Sequence, residues 1–407
     1  MSGDPFGELL RRGVRPGLER MRVLLARLGH PERAFRVVLV GGSNGKGSTA
    51  RALAAILQAA GVRTGLLTSP HLVRFNERVE VGGRPIADAA LARLKARLMP
   101  ELEAVGATYF EAVTALALVH FAERGVELAV LEVGLGGRLD AVNATEPELS
   151  IVTNLSLEHT DWLGPTLAHI AREKAGILRP GRPALSAATG VAAELLAAEA
   201  RRVGAPLAFV RPWGVEPAGY GVDFSLERDR YHGALMGRYQ AENLALAARA
   251  AVLLGADARA LRSGLAAVRH PGRLDYRPVA RLLYDGAHNP AGAAVLARAL
   301  DDYFPASPKA LVFAASRDKD VAAMARRLLP RFRRVWLTAF PGPRAWAPEE
   351  LAPHFPGGAV EPDPARALAA ARAARPPGGL VVVAGSLYLI GTLMRLEAGL
   401  PPEARSQ

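Results

Sequence analysis

Apolar residues along this chain recur with two different periods, and the alternation between them predicts the elements. Leu18 to Leu28 places its apolar residues at helical spacing and predicts an amphipathic helix. Phe35–Arg36–Val37–Val38–Leu39–Val40 is a short β-branched run that stops at Gly41–Gly42, which predicts a strand ending in a turn. Ser48 to Ala60 is helical by composition and closes at Gly61, and Val62 to Leu67 predicts a second strand. Strand, loop, helix and strand in that order open a parallel α/β sheet. The pattern continues with a helix at Phe110 to Glu123, strands at Leu128 to Val133 and Leu149 to Thr153, and a helix at Leu167 to Leu178 stopped by Pro180–Gly181. Val222 to Leu235 alternates around Arg228–Asp229–Arg230 and predicts an antiparallel hairpin outside the main sheet. Tyr239 to Leu254 and Ala258 to Val268 read as helices.

His270–Pro271–Gly272–Arg273 punctuates the chain, and a fresh α/β pattern begins after it. Strands are predicted there at Arg281 to Tyr284, Ala310 to Phe313, Arg333 to Leu337 and Leu380 to Val383, with helices between them. We therefore expect two domains, residues 1–270 and 271–407, with the hinge at the punctuation. Hydrophobic residues make up 50% and charged residues 22%, which suits a globular protein with sizeable cores. No apolar run approaches the roughly 20 residues that span a bilayer. The start, MSGDPFGELLRRG, lacks the apolar stretch of a secretory signal, so a cytoplasmic protein without membrane partners is the expectation. The chain has no cysteine, which excludes disulfides, thiolate metal sites and cysteine nucleophiles. Its net charge of +12 suits anionic partners, yet the arginines are spread over predicted helices rather than gathered in a stripe, which argues against nucleic acid.

Gly42–Ser43–Asn44–Gly45–Lys46–Gly47–Ser48–Thr49 follows a predicted strand and opens a predicted helix. In that setting, successive backbone N–H groups and the helix N-terminus offer partial positive charge to phosphate oxygens. Lys46 adds a point charge for the β/γ-phosphates. The spacing departs from G-x-x-x-x-G-K-[ST]: Val40 stands where the first glycine belongs, and Gly47 follows the lysine directly. Glu132 ends a buried apolar strand, where open α/β sheets face their ligands, and an acidic residue there can hold Mg²⁺.

The Gly42–Ser48 loop resembles that of the folylpolyglutamate synthase and dihydrofolate synthase family, a branch of the Mur ligases. Thr68–Ser69–Pro70–His71–Leu72, Leu131 to Asp140, Glu158 to Gly164 and Arg172 to Ile177 agree with it in order. Pro271–Gly272–Arg273 and Asp285–Gly286–Ala287–His288–Asn289–Pro290 extend the match into the second half. The resemblance implies an N-terminal ATPase domain on a parallel sheet and a smaller, Rossmann-like C-terminal domain. It makes Ser43, Asn44, Gly45, Lys46, Gly47 and Ser48, with Asn243, Arg273, Asp285 and His288, contacts of ATP. It places Ser69, Glu132 and His159 around two magnesium ions, although the family often has aspartate where this chain has Glu158. It also implies that Lys174 carries a carbamate, which forms on the amine and is favoured by burial. Thr108, Tyr109, Phe110 and Asp140 fall in segments that resemble pterin contacts, Phe110 offering a stacking face and Asp140 an acceptor.

These parts imply a monomeric ligase that joins L-glutamate to a reduced folate or dihydropteroate. The folate carboxylate attacks the γ-phosphate, and the glutamate amine then attacks the acyl phosphate, with Lys46, Glu132, His159 and Lys174 as the catalytic set. Closure of the second domain would exclude water from that intermediate. Three readings compete with this one: a Mur-type ligase acting on a UDP-sugar peptide, a phosphate-loop kinase that makes a stable phosphorylated product, and a basic, non-catalytic nucleic-acid-binding protein.

Overall fold

Strand β1 (Arg36–Gly41) has every residue after Arg36 buried, as a continuous β-branched run requires when helices cover both faces of a sheet. The computed structural model describes residues 4–401. Around β1 the chain adds β2 (Thr64–Leu67), β3 (Val79–Val81), β4 (Arg84–Pro85), β5 (Leu128–Glu132), β6 (Leu149–Val152), β7 (Ala184–Ser186) and β8 (Leu207–Phe209). Their spatial order is β4-β3-β2-β5-β1-β6-β7-β8. All pairings are parallel except those of the β3–β4 edge hairpin, which sequence reading had not separated from its surroundings. The order reverses at β1, which has β5 on one side and β6 on the other; ligands of open α/β sheets bind outside the strand ends at such a point.

One face of this sheet packs under the helices Lys46–Ala59, Gln240–Leu253 and Ala258–Ala267, with Leu53, Ile56, Leu244 and Leu265 in their shared core. The other face is covered by Asp88–Val105, Tyr109–Glu123 and Leu167–Ala175. Tyr109–Glu123 is apolar around most of its circumference, which marks a helix wrapped by protein on all sides. The helix Lys46–Ala59 starts earlier than its composition predicts, because Gly45 turns the chain in the left-handed conformation directly ahead of Lys46. The predicted hairpin is present as β10 (Gly221–Leu226) and β11 (Asp229–Gly233), joined by a third antiparallel strand, β9 (Trp213–Ala218).

The remaining sheet has the order β12-β13-β17-β14-β15-β16, from β12 (Asp275–Arg277), β13 (Leu282–Asp285), β14 (Lys309–Phe313), β15 (Arg334–Leu337), β16 (Ala359–Val360) and β17 (Leu380–Ala384). Only β12 runs antiparallel. The chain is thus α/β with a large, mostly parallel N-terminal sheet and a separate mixed C-terminal sheet. The two halves interlock. Leu72, from the loop after β2, sits in the apolar core beneath Leu387–Glu397, and Arg395 Nη1 donates to the carbonyl of Val73 at 2.6 Å. On the other side Arg238 meets Asp302 at 3.1 Å, and Tyr303 Oη donates to the Gly221 carbonyl at 2.7 Å. No helix among the described residues is long and apolar enough to cross a membrane.

Candidate active site

The loop leaving β1 can take its path only with glycine at two places. Gly42 has φ of 128°, and a Cβ there would lie 1.9 Å from Thr153 Oγ1. Gly45 has φ of 84°, and a Cβ there would lie 2.1 Å from Asn243 Oδ1. The segment after β6 braces the loop from outside. Ser43 N donates to the Asn154 carbonyl at 2.9 Å, Asn44 N to Asn154 Oδ1 at 2.9 Å, and Thr153 Oγ1 to the Asn44 carbonyl at 2.6 Å. The Ser43 and Asn44 amides are thereby committed to the fold. The amides of Lys46, Gly47 and Ser48 lie in the first helical turn, where no carbonyl stands behind them, and they are the ones that can face an anion. Lys46 Nζ folds back over the loop onto the carbonyls of Gly42 at 2.9 Å and Ser43 at 3.1 Å.

Glu132 reaches the loop from the end of β5. It is 5% exposed, its Oε2 accepts from Ser69 N at 2.9 Å, and its Oε1 lies toward Gly47. Burial pushes its carboxyl above the ordinary range, against the pull of Lys46, the Ser69 N–H, Arg51 and Arg273. A buried carboxylate beside a phosphate loop fits a divalent ion, which takes oxygen ligands. Among the described residues no three His, Asp or Glu side chains cluster as a metal-holding group, so any further ligands must include hydroxyls, water or substrate oxygens. The structure brings Ser69 and Glu132 together. His159 is exposed, with φ of 46°, at the head of the short helix Thr160–Leu163.

Lys174 is 2% exposed and shares the Gly42 carbonyl with Lys46, donating to it at 2.9 Å. Its Nζ also lies 2.7 Å from Glu158 Oε1. Burial and then the Lys46 charge lower the Lys174 pKa, and Glu158 opposes them. Burial raises Glu158, but Lys174 and Lys46 outweigh it and hold that carboxyl below its ordinary value.

Asn243 is buried against Gly45, its Nδ2 donating to Gln240 Oε1 at 2.8 Å. From the linker, His270 Nδ1 lies 3.0 Å from Ser48 Oγ. Arg273 is half-buried beside Gly286. Asp285 braces the same turn, accepting from Leu274 N at 2.8 Å and Ala287 N at 2.9 Å; burial raises its carboxyl against those bonds and Arg273. His288 Nδ1 pairs with the Gly286 carbonyl at 2.7 Å, and burial lowers its imidazole. Sequence reading had placed His270 in the hinge and missed its contact with the loop. The only available signal was a histidine adjoining Pro–Gly–Arg.

The segments resembling pterin contacts are mostly occupied with their own structure. Thr108 caps the helix Tyr109–Glu123, with its N donating to Glu111 Oε2 at 2.7 Å. Tyr109 is buried, beneath the Arg78 guanidinium at 5.5 Å. Asp140 accepts from Leu135 N at 2.8 Å and Val142 N at 3.1 Å. Phe110 alone is half-exposed, its ring lying where a Cβ on Gly134 would come within 2.8 Å.

The chain is similar to known proteins over nearly its whole length. The Mur ligase middle domain matches residues 40–189, and the Mur ligase glutamate ligase domain matches residues 272–387. The dihydrofolate synthase/folylpolyglutamate synthase of Bacillus subtilis is 36% identical over 412 residues, covering 95% of this chain and 96% of that protein. Escherichia coli FolC in complex with DHPP and ADP superposes with a TM-score of 0.86 at 31% identity, covering 98% of both chains. A bifunctional folylpolyglutamate synthase/dihydrofolate synthase with Mn, AMPPNP and L-glutamate bound gives a TM-score of 0.83 at 30% identity, covering 98% of this chain and 100% of that one.

Proposed function

This chain belongs to the folylpolyglutamate synthase/dihydrofolate synthase family of Mur ligases: it is an ATP-dependent ligase joining L-glutamate to a folate or to dihydropteroate, and we propose that it does so through an acyl phosphate made at the Gly42–Ser48 loop. The observation that carries this reading is the meeting of the loop, Glu132, Asn243 and the interdomain linker at the point where the strand order reverses. The substrate carboxylate attacks the γ-phosphorus of ATP and ADP departs; the glutamate amine then attacks the acyl carbon, and phosphate departs. Lys46 and the Lys46–Ser48 amides face the charge that builds on the transferring group. Glu132, Ser69 and His159 would hold the divalent ions, which would supply charge neutralisation on the triphosphate. Ser43 and Asn44 shape the loop, while Asn243, Arg273, Asp285 and His288 hold the nucleotide where residues 1–270 meet residues 271–407. Phe110 stacks on the pteridine, flanked by Thr108, Tyr109 and Asp140. The protein works as a cytoplasmic monomer.

Lys174 belongs to the same reading. Burial and Lys46 both favour its amine, the form that captures carbon dioxide. Glu158, at 2.7 Å, favours the ammonium, so the carbamate forms only when that carboxylate turns away. Intact mass measured at neutral pH, with and without bicarbonate, should show an added carbon dioxide that Lys174→Arg abolishes.

Phosphate release from ATP with L-glutamate tests the whole, comparing dihydropteroate, tetrahydrofolate and no pteridine. Glutamate-dependent release with either pteridine is the expected outcome. ADP formation with no release of inorganic phosphate would favour a kinase instead.

A further inference from the structure

The reaction scheme leaves one side chain at the loop without a role. His270 and Ser48 are far apart in sequence, yet Nδ1 and Oγ lie 3.0 Å apart. The imidazole rests on the loop itself. A Cβ built on Gly47 would come within 3.1 Å of His270 Cε1 and 3.4 Å of Nε2, and within 3.5 Å of Glu132 Oε1. His270 and Glu132 therefore flank Gly47, one from the linker and one from β5. Ser48 is 4% exposed, so its hydroxyl cannot turn to bulk water for a partner.

A serine hydroxyl at this position has one proton to place and two lone pairs to offer. Where the proton goes decides whether the oxygen can face a cation. A neutral imidazole offers one donor and one acceptor nitrogen, and Nδ1 is the nitrogen that lies at the Ser48 hydroxyl. Glu132, the other ionisable group at Gly47, is itself committed to Ser69 N through Oε2.

We propose that His270 is a positioning residue for the metal–nucleotide complex: its Nδ1 accepts the Ser48 hydroxyl proton and so turns the Ser48 lone pairs toward the cation side of the phosphate loop. This rests on the reading of the loop as a nucleotide site. It also ties that site to the linker. Pro271–Gly272–Arg273 follows the ring directly, so a rotation of the C-terminal half about the linker moves Nδ1 relative to Ser48.

Calorimetric titration of the full chain with ADP, in excess Mg²⁺ and separately in EDTA, tests the role without requiring turnover. His270→Ala should weaken binding about tenfold in Mg²⁺, the worth of one hydrogen bond in a buried site, and leave binding in EDTA unchanged. His270→Asn, whose Oδ1 can take the place of Nδ1, should restore most of the loss. Ser48→Ala with His270→Ala should be no worse than Ser48→Ala alone, because both remove one interaction. Equal losses in Mg²⁺ and EDTA would reduce His270 to packing and overturn the proposal. So would a folded His270→Asn protein that binds no better than His270→Ala. A wild-type chain that binds ADP in neither condition would overturn the nucleotide reading itself.

Discussion

Around the phosphate loop, Glu132, Asn243 and His270 converge from β5, the helix Gln240–Leu253 and the linker, and each touches the loop. In the segments resembling pterin contacts, Thr108, Tyr109 and Asp140 are bonded to or packed against their own surroundings, and only Phe110 keeps an open face. The first region is built by sending side chains of distant elements to one backbone turn. The second is a wall locked in place by its own bonds, with one ring, Phe110, left half-exposed. Substitutions should therefore act on turnover in the first region and on stability in the second.

The largest effect should come from Lys46. Among the described residues its ammonium bonds the carbonyls of its own loop alone, so Lys46→Ala should leave the thermal midpoint close to wild type. Loss of a charge aimed at the transferring phosphoryl group should lower kcat by about 10²–10³. Steady-state kinetics beside a melting curve checks both halves; a large fall in the midpoint would make Lys46 a structural brace and blur the contrast.

Asp140→Ala should do the reverse. The backbone N–H groups of Val142, buried, and Leu135, half-buried, lose their acceptor, at about 3 kcal/mol together. Urea unfolding of the free protein reads that loss directly. If stability holds and only the pteridine KM rises, Asp140 is a ligand contact and the second region resembles the first.

The same carboxyl should be visible through pH. Burial raises it from 3.8 to about 6, outweighing the N–H groups of Leu135, Val142 and Gly134 and the Lys46 charge. Between those values the unfolded chain has released the proton and the folded chain still holds it. Stability therefore falls as pH rises through the window and levels off above it, by about 3 kcal/mol in all. Asp140→Asn removes that slope, so wild type should lose about 2.4 kcal/mol relative to the variant between pH 4 and pH 7. Parallel unfolding curves at both pH values would show an Asp140 with an ordinary pKa.

The contrast also explains what could be read from the chain alone. A glycine-rich turn between a β-branched strand and a helix is written in neighbouring residues, because the backbone supplies most of the binding groups. The inner strands β1, β2, β5 and β6, the strands β13, β14, β15 and β17, and the β10–β11 hairpin were legible for the same local reason. β9 was not, since Gly214 and Pro217 interrupt its pattern, and neither was the helix Asp88–Val105 as a unit, with Pro100 inside it. His270 escaped notice as a site residue because Ser48 lies in a different element and only folding joins them. Thr108 and Asp140 show the opposite failure. Their positions within family-like segments were plain, while the backbone bonds that occupy them depend on the closed geometry of the turn.

Thr108 gives the smallest test and the sharpest one. Its Oγ1 accepts from Glu111 N at 3.4 Å, a long bond, while Glu111 Oε2 accepts from Thr108 N at 2.7 Å. Arg20 holds the same carboxylate at 3.0 Å, so Glu111 stays in place without the hydroxyl. Thr108→Ala should then cost only about 0.5 kcal/mol, the low end for a lost helix cap. Thr108→Ser should cost less still, because the acceptor remains. If the hydroxyl serves the fold alone, neither change moves the KM for tetrahydrofolate or dihydropteroate. A KM that rises in the alanine variant and recovers in the serine variant, at unchanged stability, would put the hydroxyl on the substrate and leave only Tyr109 and Asp140 as purely internal groups in that wall.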